Sequence, residues 1–381
     1  MLAEDGDVRR SRGQRKPMAG RGQEIAHYRG AIDRLDRQLV QLLNRRARLA
    51  QRIGLSKEKH NASVFVPSRE RGVLANVLRS NAGPLPDRAL IDIFREVISA
   101  SRALEHQLRI AYLGPEGTFT QAAARSHFGA GATYHAVDSI AEVFAAVEAE
   151  RAEVGVVPVE NSTEGVVAHT LDLLVDSPLH ICAELELKVR HCLLGRQGRL
   201  THIRRIVSHP QSLAQCRRWL ATACPGVPTE AVSSNARAAQ MAASERGTAA
   251  IAGGMAAELY RLRILAEGIQ DDPSNVTRFL VLAAHDAPRA SGTDKTSILF
   301  TVRDEIGILH RMLRPFARHR INLCGIESRP RRGKPWEYVF FLDLRGHREQ
   351  APVRRALQDL ARHCTSLKVL GSYPSAAVEE G

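Results

Sequence analysis

Residues 25–57 carry a heptad seam with cations set into it, and that combination restricts the fold more than any other feature of the chain. Ile25, Ile32, Leu39 and Ile53 recur at seven-residue steps, and Tyr28, Leu35, Leu42 and Leu49 follow three positions behind them. The spacing predicts a long amphipathic helix packed against other helices. The same seven-residue series also contains Arg46, and the flanking position holds Arg29 and Lys57. A charge inside a helical interface is costly unless it is paired. No nearby acid answers all three, so the implied partner is an anionic ligand.

A second stripe follows. Gly83-Pro84-Leu85-Pro86 breaks the chain, and Asp87 is the expected N-cap of a helix with Ile91, Phe94 and Ile98 on one face, continued by Ser101 and Glu105. Between the two, Pro67 can open a short helix with Arg69 and Glu70 in its first turn. Arg29, Arg46, Lys57, Glu70, Ser101 and Glu105 therefore lie on faces expected to converge. Internal ion pairs are the plain alternative, but so many polar groups on converging faces favour a site.

These residues resemble the all-helical chorismate mutase domain of bacterial P-proteins, through Arg29-x-x-Ile32-x-x-Leu35-Asp36, Arg46, Lys57, Arg69-Glu70, Ser101 and Glu105. The resemblance implies that Arg46, Arg69 and an Arg29 reaching in from a partner subunit hold the carboxylates of chorismate. It implies that Lys57 meets a carboxylate and the ether oxygen, that Glu70 accepts the substrate hydroxyl, and that Ser101 adds a hydrogen bond. Such a site works by positioning and by stabilising an ether oxygen that gains negative charge. The chain departs from the pattern at Glu105, where glutamine is familiar, and at Val66, where an acid can stand. A carboxylate cannot donate to the ether oxygen, so Glu105 must be protonated to help. Mutase activity is expected to fall as pH rises through the Glu105 titration. A flat profile, unchanged in Glu105→Gln, would contradict this.

At 381 residues the chain suggests two or three compact units. Its six cysteines form no CxxC pair or zinc-like spacing, so reduced cytoplasmic thiols are expected and no metal or cofactor. No apolar run approaches the ~18 residues a membrane span needs. Residues 1–22 are arginine-rich without an apolar core and read as a disordered basic extension. The net charge of +13 is spread along the chain and aromatics are scarce, which disfavours nucleic acid as a partner.

After His106-Gln107 the pattern changes to strand, polar loop, helix. Leu108–Leu113 reads as a strand turning through Gly114-Pro115-Glu116-Gly117-Thr118-Phe119-Thr120 into a helix at Gln121–Phe128. Val154–Val159 ends in Glu160-Asn161-Ser162-Thr163-Glu164-Gly165, and Ile203–Val207 in Ser208-His209-Pro210-Gln211-Ser212-Leu213-Ala214-Gln215. Thr248–Ile251 leads through Ala252-Gly253-Gly254 to another helix. Such repeats predict an α/β region with ligand groups at the carboxyl ends of strands. Asn275-Val276-Thr277-Arg278-Phe279 then reads as a turn before a strand at Phe279–Leu282.

In that order the loops resemble those of prephenate dehydratases across roughly residues 108–284. The resemblance implies two α/β lobes, like a periplasmic binding protein, around a cleft. It makes Thr277 the proton donor to the departing ring hydroxyl, with Asn161, Ser208 and Gln215 orienting the substrate. Arg278 either clamps a carboxylate or pairs structurally, and His209 is placed for a proton shuttle but is more often structural there. A threonine is a weak acid, so its effect must come from geometry.

Residues 285–294 read as a linker. The remainder follows a βαββαβ order, with strands at Lys295–Val302, Ile321–Ser328, Trp336–Leu344 and Leu367–Tyr373 and helices at Gly307–His319 and Pro352–His363. Gly307-Ile308-Leu309 and Glu327-Ser328-Arg329-Pro330 resemble the loops by which ACT domains of this family bind phenylalanine between subunits, with Ile308 larger than usual. The expectation is a multidomain chain: a helical chorismate mutase at 23–107, a dehydratase at 108–284 and an α+β ACT domain at 295–375. It would make phenylpyruvate from chorismate by way of prephenate as a cytoplasmic homodimer or higher oligomer, inhibited by L-phenylalanine. The rivals are a monofunctional dehydratase with a helical dimerisation domain, and a non-enzymatic amino-acid sensor.

Overall fold

A computed structural model of the chain describes residues 19–58, 65–196, 198–286, 290–303, 305–330, 337–376 and 378–380. Residues 1–18, the Lys57 side chain and the basic turn at 331–336 lie outside the described residues.

Three helices open the chain: α1 (Ala19–Glu58), α2 (Pro67–Arg79) and α3 (Asp87–Glu105). Pro67 takes the first position of α2, where its missing N–H leaves nothing unpaired. Two expectations shift here. Helix α1 starts at Ala19, inside the stretch read as an extension. The N-cap of α3 is Pro86, and Asp87 is its first helical residue, with a carboxylate that accepts from Asn81 Nδ2 at 2.7 Å. Among the described residues nothing covers the seam of α1. Ile25, Tyr28, Ile32, Leu35, Leu39, Leu42, Leu49 and Ile53 are all 52–61 % exposed.

The α/β region comprises β1 (Arg109–Leu113), α4 (Phe119–Phe128), β2 (Thr133–Val137), α5 (Ile140–Glu148), β3 (Val154–Asn161), β4 (Gly165–Val166), α6 (Ala168–Asp176) and β5 (His180–Lys188). It continues with β6 (Cys192–Gly195), β7 (Arg205–Ser208), α7 (Pro210–Gln215), α8 (Arg217–Ala223), β8 (Thr229–Ala231), α9 (Asn235–Ser244), β9 (Thr248–Ala252), α10 (Gly254–Leu259), β10 (Arg263–Glu267) and β11 (Val276–Ala283). The first lobe is a sheet in the order β5-β11-β3-β1-β2, with β4 on β3, and the second runs β10-β6-β9-β7-β8. Strand β1 pairs in parallel with β2 and β3, which requires the helical crossovers α4 and α5. Residues 189–191 and 268–275 carry the chain between the lobes. The Thr-Arg-Phe segment lies inside β11, in register with Asn161 of β3 and Leu187 of β5, and is not a turn.

The last unit contains β12 (Asp294–Val302), α11 (Ile308–Arg318), β13 (Leu323–Pro330), β14 (Tyr338–Arg345), α12 (Ala351–Ala361) and β15 (Ser366–Pro374), with strand order β13-β14-β12-β15. Alternation along β12 divides its side chains between two cores. Ile298 and Phe300 pack with Met312, Phe316 and Leu357 under the helices, while Leu299 joins Val339, Phe341, Leu370 and Tyr373 against Leu171 and Leu280 of the first lobe. Each such burial contributes about 1.5–3 kcal/mol, so this unit is docked and not merely tethered. Gly371 lies so close to the backbone of Ile181 that no Cβ fits. Asp294, expected at the end of a linker, opens β12 and accepts the N–H of Ser291 at 2.8 Å. A final strand, β16 (Val378–Glu380), returns to pair in parallel with β5.

Candidate active sites

In the helical unit, α1 and α3 meet around Arg46. Its Nη1 donates to Ser101 Oγ and to Val97 O (3.3 Å), and Ser101 Oγ donates to Val97 O at 2.6 Å. Burial pushes the Arg46 pKa down, Arg69 pushes it the same way, and Glu105 opposes them. These four side chains therefore share one electrostatic neighbourhood. Gly54 makes it possible, since a Cβ there would sit 2.9 Å from Glu105 Cγ.

Arg29 and Glu70 are not brought to that neighbourhood. Arg29 is exposed on α1, and the separation of 46 − 29 = 17 residues puts it about 25 Å along the helix from Arg46. Glu70 Oε1 accepts from Arg102 Nη1 at 2.5 Å, an ion pair that the sequence did not indicate. Arg102 is buried and must be paired. Its Nη2 donates to Phe128 O at 2.8 Å, and its guanidinium lies 5.7 Å from the rings of both Phe65 and Phe128, joining the helical unit to the first lobe. The sequence reading missed Arg102 because it lies beside the apolar stripe of α3, one residue past Ser101.

Between the lobes the side chains are amides and hydroxyls. Asn161, at the end of β3, accepts at Oδ1 from the backbone N–H of Thr163 (3.0 Å) and Glu164 (3.1 Å). Its Nδ2 donates to Thr277 Oγ1 and to Asn275 Oδ1, both at 2.8 Å. Asn275 Nδ2 donates to Gln215 Oε1 at 3.0 Å, and Gln215 Nε2 to Glu164 Oε1 at 3.3 Å. Asn161, Gln215 and Thr277 thus form one connected set across the lobes. Asn275 and Glu164 complete it, and nothing in their local sequence separates them from ordinary loop residues.

Three residues fall elsewhere. Ser208 is fully buried, and its hydroxyl contacts Ile251 O (2.7 Å) and Asn235 Oδ1 (3.0 Å), so it ties β7 to its neighbours and faces no ligand space. His209 Nδ1 accepts the N–H of Gln211 at 3.4 Å as the N-cap of α7, a structural task. Arg278 points away from Thr277. It donates to Glu184 (3.0 Å), Glu160 (3.2 Å) and Asp343 of β14. Burial alone would lower its pKa, but the carboxylates raise it above the ordinary value and hold it charged. The clamp alternative for Arg278 is therefore corrected to a structural one.

In the last unit Gly307 adopts φ +77° at the N-cap of α11, a conformation that favours glycine. Ile308 and Leu309 open α11, and Leu309 is exposed. Glu327, Ser328, Arg329 and Pro330 lie on the edge strand β13. Arg329 is already paired with Asp172 of α6 at 2.8 Å. Glu327 lines a cavity of about 110 Å³ shared with Arg278 and Asp343. Among the described residues no group of three or more His, Cys, Asp or Glu could hold a metal ion. No described helix is long and apolar enough to cross a membrane.

A helical unit with an arginine-centred cluster, a two-lobed α/β unit and a docked α+β module together make a multidomain chain with two separate candidate sites, the arrangement of a bifunctional enzyme. The chorismate mutase type II family matches residues 28–106, the prephenate dehydratase family 110–287 and the ACT domain 296–362. A bifunctional chorismate mutase/prephenate dehydratase of Aquifex aeolicus is 45% identical over 362 residues, spanning 94% of this chain and 100% of the relative. One from Pseudomonas aeruginosa is 47% identical over 93% of this chain and 99% of its own length. The crystal structure of prephenate dehydratase in complex with L-Phe from Arthrobacter aurescens superposes with a TM-score of 0.66 at 35% identity, covering 70% of this chain and 90% of that one. The chain belongs to the bifunctional chorismate mutase/prephenate dehydratase family.

Proposed function

We propose that the chain converts chorismate to prephenate in its helical unit and prephenate to phenylpyruvate between its lobes, with L-phenylalanine inhibiting through the ACT domain. The observation that carries the second step is the direction of the hydrogen bond at Thr277. Thr277 Oγ1 accepts from Asn161, and among the described residues nothing accepts the Thr277 proton. That proton is available to the ring hydroxyl as it leaves. Loss of the ring carboxylate as carbon dioxide supplies the electron pair that aromatises the ring, and the departing hydroxide takes one proton to become water. Asn161 and Gln215 orient the substrate, and Ser208 acts through the loop it anchors.

In the mutase step Arg46, Arg69 and Lys57 hold the carboxylates, Ser101 adds a hydrogen bond, and Glu105 lies beside the ether oxygen. Phenylalanine is read by the segments containing Gly307, Ile308, Leu309, Glu327, Ser328, Arg329 and Pro330. It inhibits by binding one arrangement of the enzyme more tightly than another. The free cysteines suit a cytoplasmic setting.

The exposed seam of α1 supports a homodimer in which the seams of two copies cover each other. A second copy would also bring Arg29 to the Arg46 cluster, about 25 Å away within one chain. Arg29→Ala and Arg46→Ala chains, each inactive as mutase, are expected to regain about a quarter of wild-type mutase activity when coexpressed. Half the dimers are then mixed, and each has one intact site of two. No recovery would contradict the shared site.

One assay tests the whole reading: chorismate with purified protein, following prephenate and phenylpyruvate, with and without L-phenylalanine. The expected result is phenylpyruvate from chorismate, with the dehydratase step alone suppressed by phenylalanine. Conversion of prephenate with chorismate untouched would favour the dimerisation-domain reading. No conversion of either would leave the sensor reading.

A further inference from the structure

The proton position on one buried histidine follows from a hydrogen-bond chain that is anchored at one end. A backbone N–H can only donate, so the N–H groups of Thr163 and Glu164 fix which end of the Asn161 amide is oxygen. Asn161 Nδ2 must then face Asn275 Oδ1, which leaves Asn275 Nδ2 for Gln215 Oε1. The Gln215 amide is fixed in turn, with its Nε2 on the Glu164 carboxylate. Gln215 Oε1 has a second neighbour at 2.9 Å, His191 Nε2. An amide oxygen only accepts, so that nitrogen carries a hydrogen.

His191 is 1% exposed, and burial pushes its pKa down, partly offset by the bond to Gln215. The ring is therefore neutral, with its proton on Nε2 and none on Nδ1. Among the described residues Nδ1 has no partner. The opposite tautomer would set a lone pair against Gln215 Oε1. Turning the Gln215 amide to relieve this would set N–H groups against Asn275 Nδ2, and turning Asn275 would set its Nδ2 against that of Asn161, which cannot turn. Only one polarity of the chain is consistent, and in it Thr277 accepts from Asn161 and keeps its own proton free.

The backbone of His191 lies where the lobes join. Its N–H donates to Gln270 Oε1 at 3.0 Å, and its carbonyl accepts from Ile269 at 3.0 Å, both on the return crossover. Its ring meets the edge of Phe119 at 5.4 Å, and Phe119 fits against Gly253 of the second lobe, where a Cβ would approach to 2.9 Å.

We infer that His191 is a positioning residue for the dehydratase: through Gln215, Asn275 and Asn161 it holds the lobes in the register at which the Thr277 hydroxyl is presented to the substrate. This rests on Thr277 being the proton donor.

The test uses the full-length chain, with mutase activity in the same molecule as the control for folding. His191→Leu removes the N–H and leaves Gln215 Oε1 short of one donor. Its dehydratase kcat is expected to fall about 10- to 100-fold, with KM for prephenate and the mutase rate within about threefold of wild type. His191→Gln can place an N–H where Nε2 was, and is expected to recover most of the loss. In the Thr277→Ala background, His191→Leu is expected to cost little more, because one acts through the other. A full-strength His191→Leu enzyme, no rescue by His191→Gln, or additive losses in the double variant would each overturn the inference. A Thr277→Ala enzyme of normal activity would instead remove the donor assignment itself.

Discussion

Thr277→Ala is expected to lower phenylpyruvate formation about 10²- to 10⁴-fold, the usual range for a lost proton donor, while chorismate conversion by the same chain stays at wild-type rate. The loss should fall on kcat and leave KM for prephenate nearly unchanged, because the proton matters most as the carbon–oxygen bond breaks. Two features support a specific effect. Thr277 is the second residue of β11 and is paired on both sides, with Asn161 of β3 and Leu187 of β5, so the strand survives the loss of a hydroxyl and a methyl. Asn161 keeps four other contacts, to the N–H groups of Thr163 and Glu164, to Asn275 and to Val276 O, so the amide chain does not collapse with it. Thr277→Ser retains a hydroxyl and should retain much of the rate. Steady-state assays of both reactions on each variant decide the matter. A Thr277→Ala enzyme that forms phenylpyruvate within about threefold of wild type would contradict the role.

The domain order was legible because each unit announces itself through a different period. The seven-residue seam of α1, the strand–loop–helix repeats of the lobes and the βαββαβ pattern need no tertiary information to be told apart. What lay hidden depended on pleat direction or on contacts distant in sequence. Taking residues 275–279 as a turn concealed that Thr277 and Arg278 sit in one strand, where consecutive side chains face opposite ways. Once β11 is seen to begin at Val276, Thr277 beside Asn161 requires Arg278 to face the ACT domain. Ser208 ends a buried strand and reads equally well as ligand or anchor until its neighbours Ile251 and Asn235 are known. Glu70 looked free because its partner Arg102 lies 102 − 70 = 32 residues away on another helix. His191 gave no local signal, since its meaning comes from Gln215 and from a crossover whose far end is at Asn275.

The second large effect concerns that opposite face. Glu184 is buried, and its carboxylate is shared by Arg278 at 3.0 Å and Lys295 of the ACT domain at 2.7 Å. Asp343 reaches the same guanidinium from β14 and accepts from Ser297. Arg278→Met would leave Glu184 with Lys295 and a backbone N–H from Ala376, and Asp343 with a serine hydroxyl. Removing one partner from a buried ion pair costs about 3–5 kcal/mol, which in a unit of this size lowers the melting temperature by roughly 6–20 °C. The apolar contacts of Leu299, Phe341 and Leu370 with the first lobe remain, so the loss should show as looser docking of the ACT domain and not as complete unfolding. Asp343→Asn should lower the melting temperature less, because it leaves Arg278 two carboxylates. Were Arg278 a substrate clamp, Arg278→Met would instead raise KM for prephenate by one to two orders of magnitude with the melting temperature intact, since a lost charged hydrogen bond costs about 1.5–3 kcal/mol. Thermal unfolding and prephenate kinetics on the same preparation separate the two. The interdomain role requires the melting temperature to move and KM to stay, because the strand that presents Thr277 to one side is held on the other by the ACT domain.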